Sequence, residues 1–218
     1  MLPACKLVIA DDHPLFRGAL KQALADIAET TQFVEAGDFQ ATKTAVAEGE
    51  DIDLVLLDLA MPGASGLSGL ISLRGISAVP MVVVSAHDDP QTIRRALELG
   101  ASGFISKSAS IEEIRRAVQT VLSGGIATPV GVDLGAERDP EVSDLIHRLH
   151  SLTPQQTRVL GMMAEGLLNK QIAYELGVSE ATIKAHVSAV LQKLGVDSRT
   201  QAVIMLAKIG GEPLSHAT

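Results

Sequence analysis

Over its first 125 residues the chain switches back and forth between two hydrophobic periods. Short aliphatic runs stand at 7–10, 33–36, 54–57, 81–84 and 103–106. Between and after them lie stretches with helical spacing, at about 14–28, 39–48, 67–75, 90–99 and 110–122. In the last stretch Ile111, Ile114, Val118, Val121 and Leu122 form one stripe, and Ser110 with Glu113 makes a capping box. Strands that alternate strictly with helices pair in parallel, because each crossover returns the chain to the same end of the sheet. The expectation is a doubly wound α/β domain with a five-stranded parallel sheet and helices on both faces. The third and fourth runs, LVLL and MVVV, are apolar throughout, as central strands are.

That topology has a chemical consequence. Ligand sites in such sheets form where the strands deliver their C-terminal ends. Asp11 and Asp12 end the first strand, Asp58 the third, Ser85 the fourth and Lys107 the fifth. Three carboxylates at one rim repel each other unless positive charge holds them. Lys107 is one such charge. A hard divalent cation is the other, since Mg²⁺ takes oxygen ligands and is held by one or two carboxylates plus phosphoryl oxygens. A carboxylate beside such charges can attack a phosphoryl group and form an acyl phosphate. Asp58, the lone carboxylate at its strand end, is the expected nucleophile, exposed by the LAMPG turn that Pro62 and Gly63 fix. No G-x-x-x-x-G-K-[ST] motif occurs, so phosphate is expected from a partner or a small donor.

Composition sets limits. No apolar run reaches the roughly 18 residues of a membrane span, so a soluble chain is expected. Aromatics are 2% of the residues, which argues against base stacking. Cys5 is the single cysteine; it fits packing and a reducing cytoplasm. The opening MLPAC has neither the basic region nor the apolar region of a cleaved leader. Net charge is −8, unusual for a nucleic-acid binder taken whole. Residues 1–125 carry 10 Lys and Arg against 16 Asp and Glu, residues 126–150 carry 2 against 5, and residues 151–218 carry 6 against 5. The last part is therefore free to approach DNA.

From Ser123 the periodicity stops. SGGIATPVGVDLGAERDPE reads as a linker, followed by a short helix at about 141–150. Helical segments then occupy about 154–166, 169–176, 180–194 and 199–209. Thr153-Pro154 starts the first of them. Gly177 closes the second and Ser179 caps the third, the short turn of a helix-turn-helix pair. Ile183, Val187, Val190, Leu191 and Leu194 make a buried stripe on the third. Lys184, Ala185, Ser188 and Gln192 fall away from it, where a recognition helix reads base edges. Asn169, Lys170, Lys193 and Arg199 suit phosphates. Ala202, Val203, Leu206 and Ile209 on the last helix fit either a dimer face or a core. The six histidines show no ligand-type clustering, and His186 reads as packing or a phosphate neighbour.

IADDHPLFRGAL, VLLDLAMPG, VVVSAHDD and GASGFISK together resemble the receiver domain of bacterial two-component response regulators, a flavodoxin-like fold. The resemblance covers nearly all of 1–125. It implies phosphorylation of Asp58 by a sensor histidine kinase, and Mg²⁺ held by Asp12, Asp58 and the Ala60 carbonyl, with Asp11 acting through water. It further implies Lys107 on the phosphoryl group, Ser85 as switch hydroxyl and Phe104 as switch aromatic. Many receivers place proline after the lysine, often with a cis bond; here Ser108 follows, and either bond geometry stays open.

Residues of about 152–210 resemble the DNA-binding domain of the LuxR/NarL class. Gln156 and Arg158 stand where relatives carry glutamates, and Ser188 where some carry a basic residue, changes that bear on DNA affinity rather than on fold. The implied protein is a cytoplasmic transcription regulator, not an enzyme. It has a receiver at 1–125, a linker at 126–150 and a helix-turn-helix domain at 151–218, and binds double-stranded promoter DNA as a homodimer. Two rivals use the same residues: a metal-dependent phosphotransfer enzyme, and a regulator that works without phosphorylation.

Overall fold

The protein is described by a computed structural model, which covers residues 4–64, 66–132 and 139–210. Five strands, β1 (Cys5–Ala10), β2 (Thr31–Ala36), β3 (Leu54–Asp58), β4 (Met81–Ser85) and β5 (Gly103–Ser106), form one parallel sheet in the order β2-β1-β3-β4-β5. Helices α1 (Pro14–Leu24), α2 (Phe39–Glu48), α3 (Ser68–Arg74), α4 (Pro90–Glu98) and α5 (Ile111–Leu122) alternate with them. β3 and β4 are buried at every position, which is why their sequences show no polar alternation.

The strands begin earlier than hydrophobicity alone indicates. β1 takes in Cys5 and Lys6, and β2 takes in Thr31 and Gln32, because ladder hydrogen bonds recruit residues whatever their side chains. Lys6 keeps its ammonium outside by bonding the Glu50 carbonyl. Cys5 is buried beside β2, and burial, with help from the Asp53 carboxylate, pushes its thiol up to about 11, so it stays protonated. The helix expected over 14–28 ends at Leu24; Arg115 of α5 donates to the Ala23 carbonyl and closes that end. Ile27 and Ala28 pack into the core without continuing the helix.

The expected linker is not free at its start. Phe104 N–H donates to the Ala127 carbonyl at 2.9 Å and Ala127 N–H to the Ser102 carbonyl at 3.0 Å, so Ala127 bridges the open edge of β5 beside Gly103. A Cβ on Gly103 would stand 2.9 Å from the Ala127 Cβ, so only glycine leaves room there. Residues 133–138 of the linker, and 1–3 and 211–218 at the ends, lie outside the described residues.

The remaining helices are α6 (Pro140–His150), α7 (Pro154–Ala164), α8 (Asn169–Leu176), α9 (Glu180–Leu194) and α10 (Arg199–Gly210). By contacts the chain divides into two units, Met1–Ala64 with Ser77–Ala136, and Ser65–Ile76 with Glu137–Thr218; α3 thus groups with the helical unit. The caps explain the helical boundaries. Thr153 and Gln156 form a reciprocal capping box at the start of α7, so glutamine does there what glutamate would. Gly177 ends α8 at φ 64°, a left-handed conformation that spares glycine a steric cost, and Ser179 accepts from Thr182 N–H to start α9. Of the four α10 residues with two open roles, Ala202, Leu206 and Ile209 are buried as core and Val203 is half-buried.

Candidate functional site

The parallel register brings the predicted rim residues together. Ala10 pairs with Leu57 and Val84 with Asp58, so the ends of β1, β3 and β4 lie level. Asp11 and Asp58 are nearly fully buried, unusual for carboxylates without partners. The partner is Lys107. Its Nζ lies 2.7 Å from Asp11 Oδ2 and donates to Asp58 Oδ2 at 2.8 Å. Burial works against the Lys107 ammonium, but hydrogen bonds to Asp11 and Asp58 and the charges of both outweigh it and raise its pKa. The ammonium also stands 5.0 Å from the centroid of the Phe16 ring.

The backbone grips the carboxylates from the other side. His13 N–H donates to Asp11 Oδ1 at 2.7 Å, and Ala60 N–H to Asp58 Oδ1 at 3.1 Å. Arg17, one turn along α1, reaches back to the Asp11 carbonyl at 2.7 Å and pairs with Glu35. These bonds fix the carboxylates in place without neutralising them.

One ammonium faces three carboxylates. Asp11 Oδ2 has Lys107 Nζ at 2.7 Å and Asp12 Oδ1 has His13 Nδ1 at 2.5 Å, and the remaining oxygen lone pairs of the rim face one another. Donor atoms of Asp11, Asp12, His13 and Asp58 all lie within 4.8 Å of one another. That donor set, mostly carboxylate oxygen, fits a hard divalent cation. Receiver domains as a class bind Mg²⁺ at such an acidic pocket. The grouping also corrects the histidine reading, since His13 joins the acidic cluster. Its signal was present in the sequence: it follows Asp11 and Asp12 directly and opens α1.

Ser85 is the residue after the Val84 that pairs with Asp58. It is buried, and its Oγ accepts from His87 N–H at 3.1 Å. Its carbonyl accepts from Lys107 N–H at 2.8 Å, which ties the ends of β4 and β5. Phe104 lies in the core at 1% exposure. Ser108, in place of the proline common in receivers, shares a hydroxyl contact of 2.7 Å with Ser106, which in turn donates to Asp88 at 2.6 Å. The described peptide bonds are all trans, that between Lys107 and Ser108 included.

In the helical unit the exposed face of α9 carries Lys184, Ala185, Ser188 and Gln192, while Ile183, Val190 and Leu194 are buried. Val187 and Leu191 of the predicted stripe are half-buried. Lys184 pairs with Glu180 one turn back, at 3.0 Å. Lys170 is exposed at the start of α8 and Asn169 half-buried. Two expected phosphate ligands are used differently. Arg199 donates to the Met163 and Leu167 carbonyls at 2.9 and 2.5 Å, closing the end of α7, and burial lowers its pKa. Lys193 donates to the Ser151 carbonyl at 2.7 Å and to Gln156 Oε1 at 2.9 Å. Both side chains donate to carbonyl oxygens of the helical unit, Arg199 from a half-buried and Lys193 from an exposed position.

Comparison with known proteins agrees with this arrangement. Residues 7–119 match the family model of the response regulator receiver domain, and residues 150–206 that of bacterial regulatory proteins of the luxR family. The chain is 39% identical to the glycerol metabolism activator of Pseudomonas putida over 211 residues, covering 94% of this chain and 96% of that one. It is 34% identical to the nitrate/nitrite response regulator protein NarL of Escherichia coli K12, covering 93% and 94%. Among solved structures it resembles RcsB of Salmonella enterica serovar Typhimurium, bound to promoter P1flhDC in the presence of the phosphomimetic BeF3−. The TM-score is 0.56 at 25% identity, covering 94% of this chain and 98% of that one. A lysine-bridged acidic rim on a parallel sheet, joined in one chain to a helix-turn-helix unit, places this protein among the two-component transcriptional response regulators of the LuxR/NarL class.

Proposed function

We propose that Asp58 is the phosphoacceptor and that its phosphorylation by a sensor histidine kinase controls dimerisation and promoter binding. The observation that carries this reading is the bridge of Lys107 between Asp11 and Asp58. It holds a buried carboxylate of β3 at a rim where developing negative charge meets an ammonium.

In the reaction one Asp58 carboxylate oxygen attacks the phosphorus of a phosphohistidine. An acyl phosphate P–O bond forms, the P–N bond breaks, and the leaving imidazole takes a proton. Lys107, which holds the Asp58 carboxylate, turns to the phosphoryl oxygens, and the backbone N–H of Ala60 holds the other carboxylate oxygen. Asp12, Asp58 and the Ala60 carbonyl would hold Mg²⁺, with Asp11 acting through water, and the ion would supply charge neutralisation. Water attack on the same phosphorus breaks its bond to the Asp58 oxygen, returns the carboxylate and releases inorganic phosphate and a proton, so the modification clears itself without a separate enzyme.

Ser85 is the switch hydroxyl. It gives up the His87 N–H and turns to the phosphoryl oxygens, and Phe104 follows on β5. The receiver occupies 1–125, the linker 126–150 and the DNA-binding domain 151–218. Lys184, Ala185, Ser188 and Gln192 read base edges, while Asn169 and Lys170 hold phosphates. Dimers read two half-sites one helical turn apart. No helix among the described residues is long and apolar enough to cross a membrane, and a cytoplasmic site of action fits promoter binding.

Incubation of the chain with Mg²⁺ and a small acyl phosphate tests the reading. The expected result is a base-labile adduct and a larger dimer fraction, both lost in Asp58→Asn. An adduct of unchanged yield in that variant overturns it.

A further inference from the structure

We infer that Asp88, Ser106 and Ser108 are positioning residues for phosphoryl acceptance: they form a latch that holds the loop between β4 and α4, and with it Ser85, in the resting arrangement. The inference rests on the proposed phosphoacceptor reading of Asp58 and names residues that set the rate of that reaction.

The loop, residues 86–89, has no apolar anchor, since all four residues are exposed. Hydrogen bonds therefore fix its course. At one end His87 N–H donates to Ser85 Oγ at 3.1 Å. At the other Asp89 caps α4 by accepting from the N–H groups of Gln91 and Thr92. Between them Asp88 reaches across to β5, where Ser106 Oγ donates to its Oδ2 at 2.6 Å. The protons available order the rest of the chain. A carboxylate offers only lone pairs, so the Ser106 proton goes to Asp88. The Ser106 oxygen then accepts twice from Ser108, from its hydroxyl at 2.7 Å and from its N–H at 3.2 Å. Accepting from both strengthens the bond that Ser106 gives, and the carboxylate makes that bond charge-assisted. Proline at 108 would supply neither donor. Ser108 is thus the root of a chain that a receiver with proline at this position cannot build.

The latch opposes the switch. Ser85 releases His87 N–H when its hydroxyl turns to a phosphoryl oxygen, and the freed N–H needs a new acceptor, so the loop shifts. Asp88 is the next residue, and it is pinned to Ser106. The shift therefore breaks the bond between Asp88 and Ser106. Ser106 and Ser108 flank Lys107, so the latch ties the resting loop to the segment that carries the rim ammonium. The bond from Lys107 N–H to the Ser85 carbonyl, at 2.8 Å, joins the strand ends independently of it.

The test follows adduct formation in full-length protein with Mg²⁺ and acetyl phosphate, and reads amide hydrogen exchange by NMR without a phosphate donor. Ser106→Ala and Asp88→Ala are each expected to form the adduct about three- to tenfold faster than the parent, the scale of one hydrogen bond removed from the resting state. Exchange at His87 N–H should rise by a similar factor, while exchange at Lys107 N–H stays at the parent's rate. The double variant should match either single, because both remove the same bond. Ser106→Thr keeps the hydroxyl and should restore the parent's rate. Asp88 is exposed, so Asp88→Ala keeps the fold and carries the test if Ser106→Ala does not fold. Adduct formation no faster than the parent's in the alanine variants, or additive effects in the double variant, overturns the latch alone. A parent that forms no adduct, or an adduct of unchanged yield in Asp58→Asn, overturns the phosphoacceptor reading and this inference with it.

Discussion

The sheet rim and the exposed face of α9 hold their charges in opposite ways. At the rim, Asp11 and Asp58 are buried and depend on one ammonium that arrives just after β5, 49 residues beyond Asp58. On α9, Lys184 is exposed and its partner is Glu180, one turn away on the same helix. A buried charge is held by the fold, so altering it changes stability and chemistry together. An exposed charge is held by water, so altering it changes what the surface binds and little else. The rim is built to respond to added charge; the helix face is built to present charge unchanged.

The largest expected effect lies at the rim. Lys107→Met leaves Asp11 and Asp58 buried without their cation. In EDTA it should cost about 3 kcal/mol in urea unfolding, at the lower end for breaking a buried pair. Added Mg²⁺ should recover part of that loss, because an ion bound to the folded state alone stabilises it by mass action. A loss under about 0.5 kcal/mol, the scale of an ordinary surface change, would show the rim to be as solvated as α9. The pH dependence carries the same information. The Lys107 pKa is raised above its ordinary 10.5, so its stabilising contribution is complete below 10.5 and lost as pH rises through the higher folded value. Alkaline titration should show that limb in the parent and not in Lys107→Met.

Smaller effects belong to the helix pair. Gly177→Ala puts a Cβ on a residue at φ 64° and should cost about 1 kcal/mol, read as a lowered melting temperature of the full chain. Ser179→Ala removes the cap from Thr182 N–H, again for about 1 kcal/mol, with the first turn of α9 losing amide exchange protection. Lys184→Ala should change stability by less than about 0.5 kcal/mol. If Lys184 meets a phosphate, the same variant lowers the salt slope of DNA binding by about 1; if it meets a base, it relaxes specificity at one position. Arg199→Ala sharpens the contrast. It should destabilise the helical unit by about 1–3 kcal/mol, the cost of leaving charged-donor hydrogen bonds unmade, although a phosphate ligand would have cost affinity alone.

Local features were legible in the chain. The capping box at Ser110, the Thr153-Pro154 helix start, the αL glycine at 177 and the apolar runs of β3 and β4 depend on neighbours within a few residues. The rim was legible too, because parallel topology sends every strand end to one edge. Long cations were not. Arg199 and Lys193 look like surface phosphate ligands by spacing, yet each reaches carbonyls more than 30 residues away in sequence. The destination of a flexible side chain depends on which acceptors the fold leaves unpaired nearby. The docking of Ala127 on β5 was hidden for a related reason. A Gly- and Pro-rich stretch carries no period, and an open sheet edge accepts backbone regardless of side chain.

The sequence by itself determined the alternation of strands and helices, the capped ends of α5, α7, α8 and α9, and which residue types would collect at one rim. Hydrophobic period and cap chemistry act over a few residues, so they can be read along the chain. Only the tertiary structure decided that Lys107 bridges Asp11 and Asp58, that Arg199 closes α7, and that Ala127 docks beside β5. Those pairings depend on distances between segments remote in sequence, which packing fixes and no local pattern records.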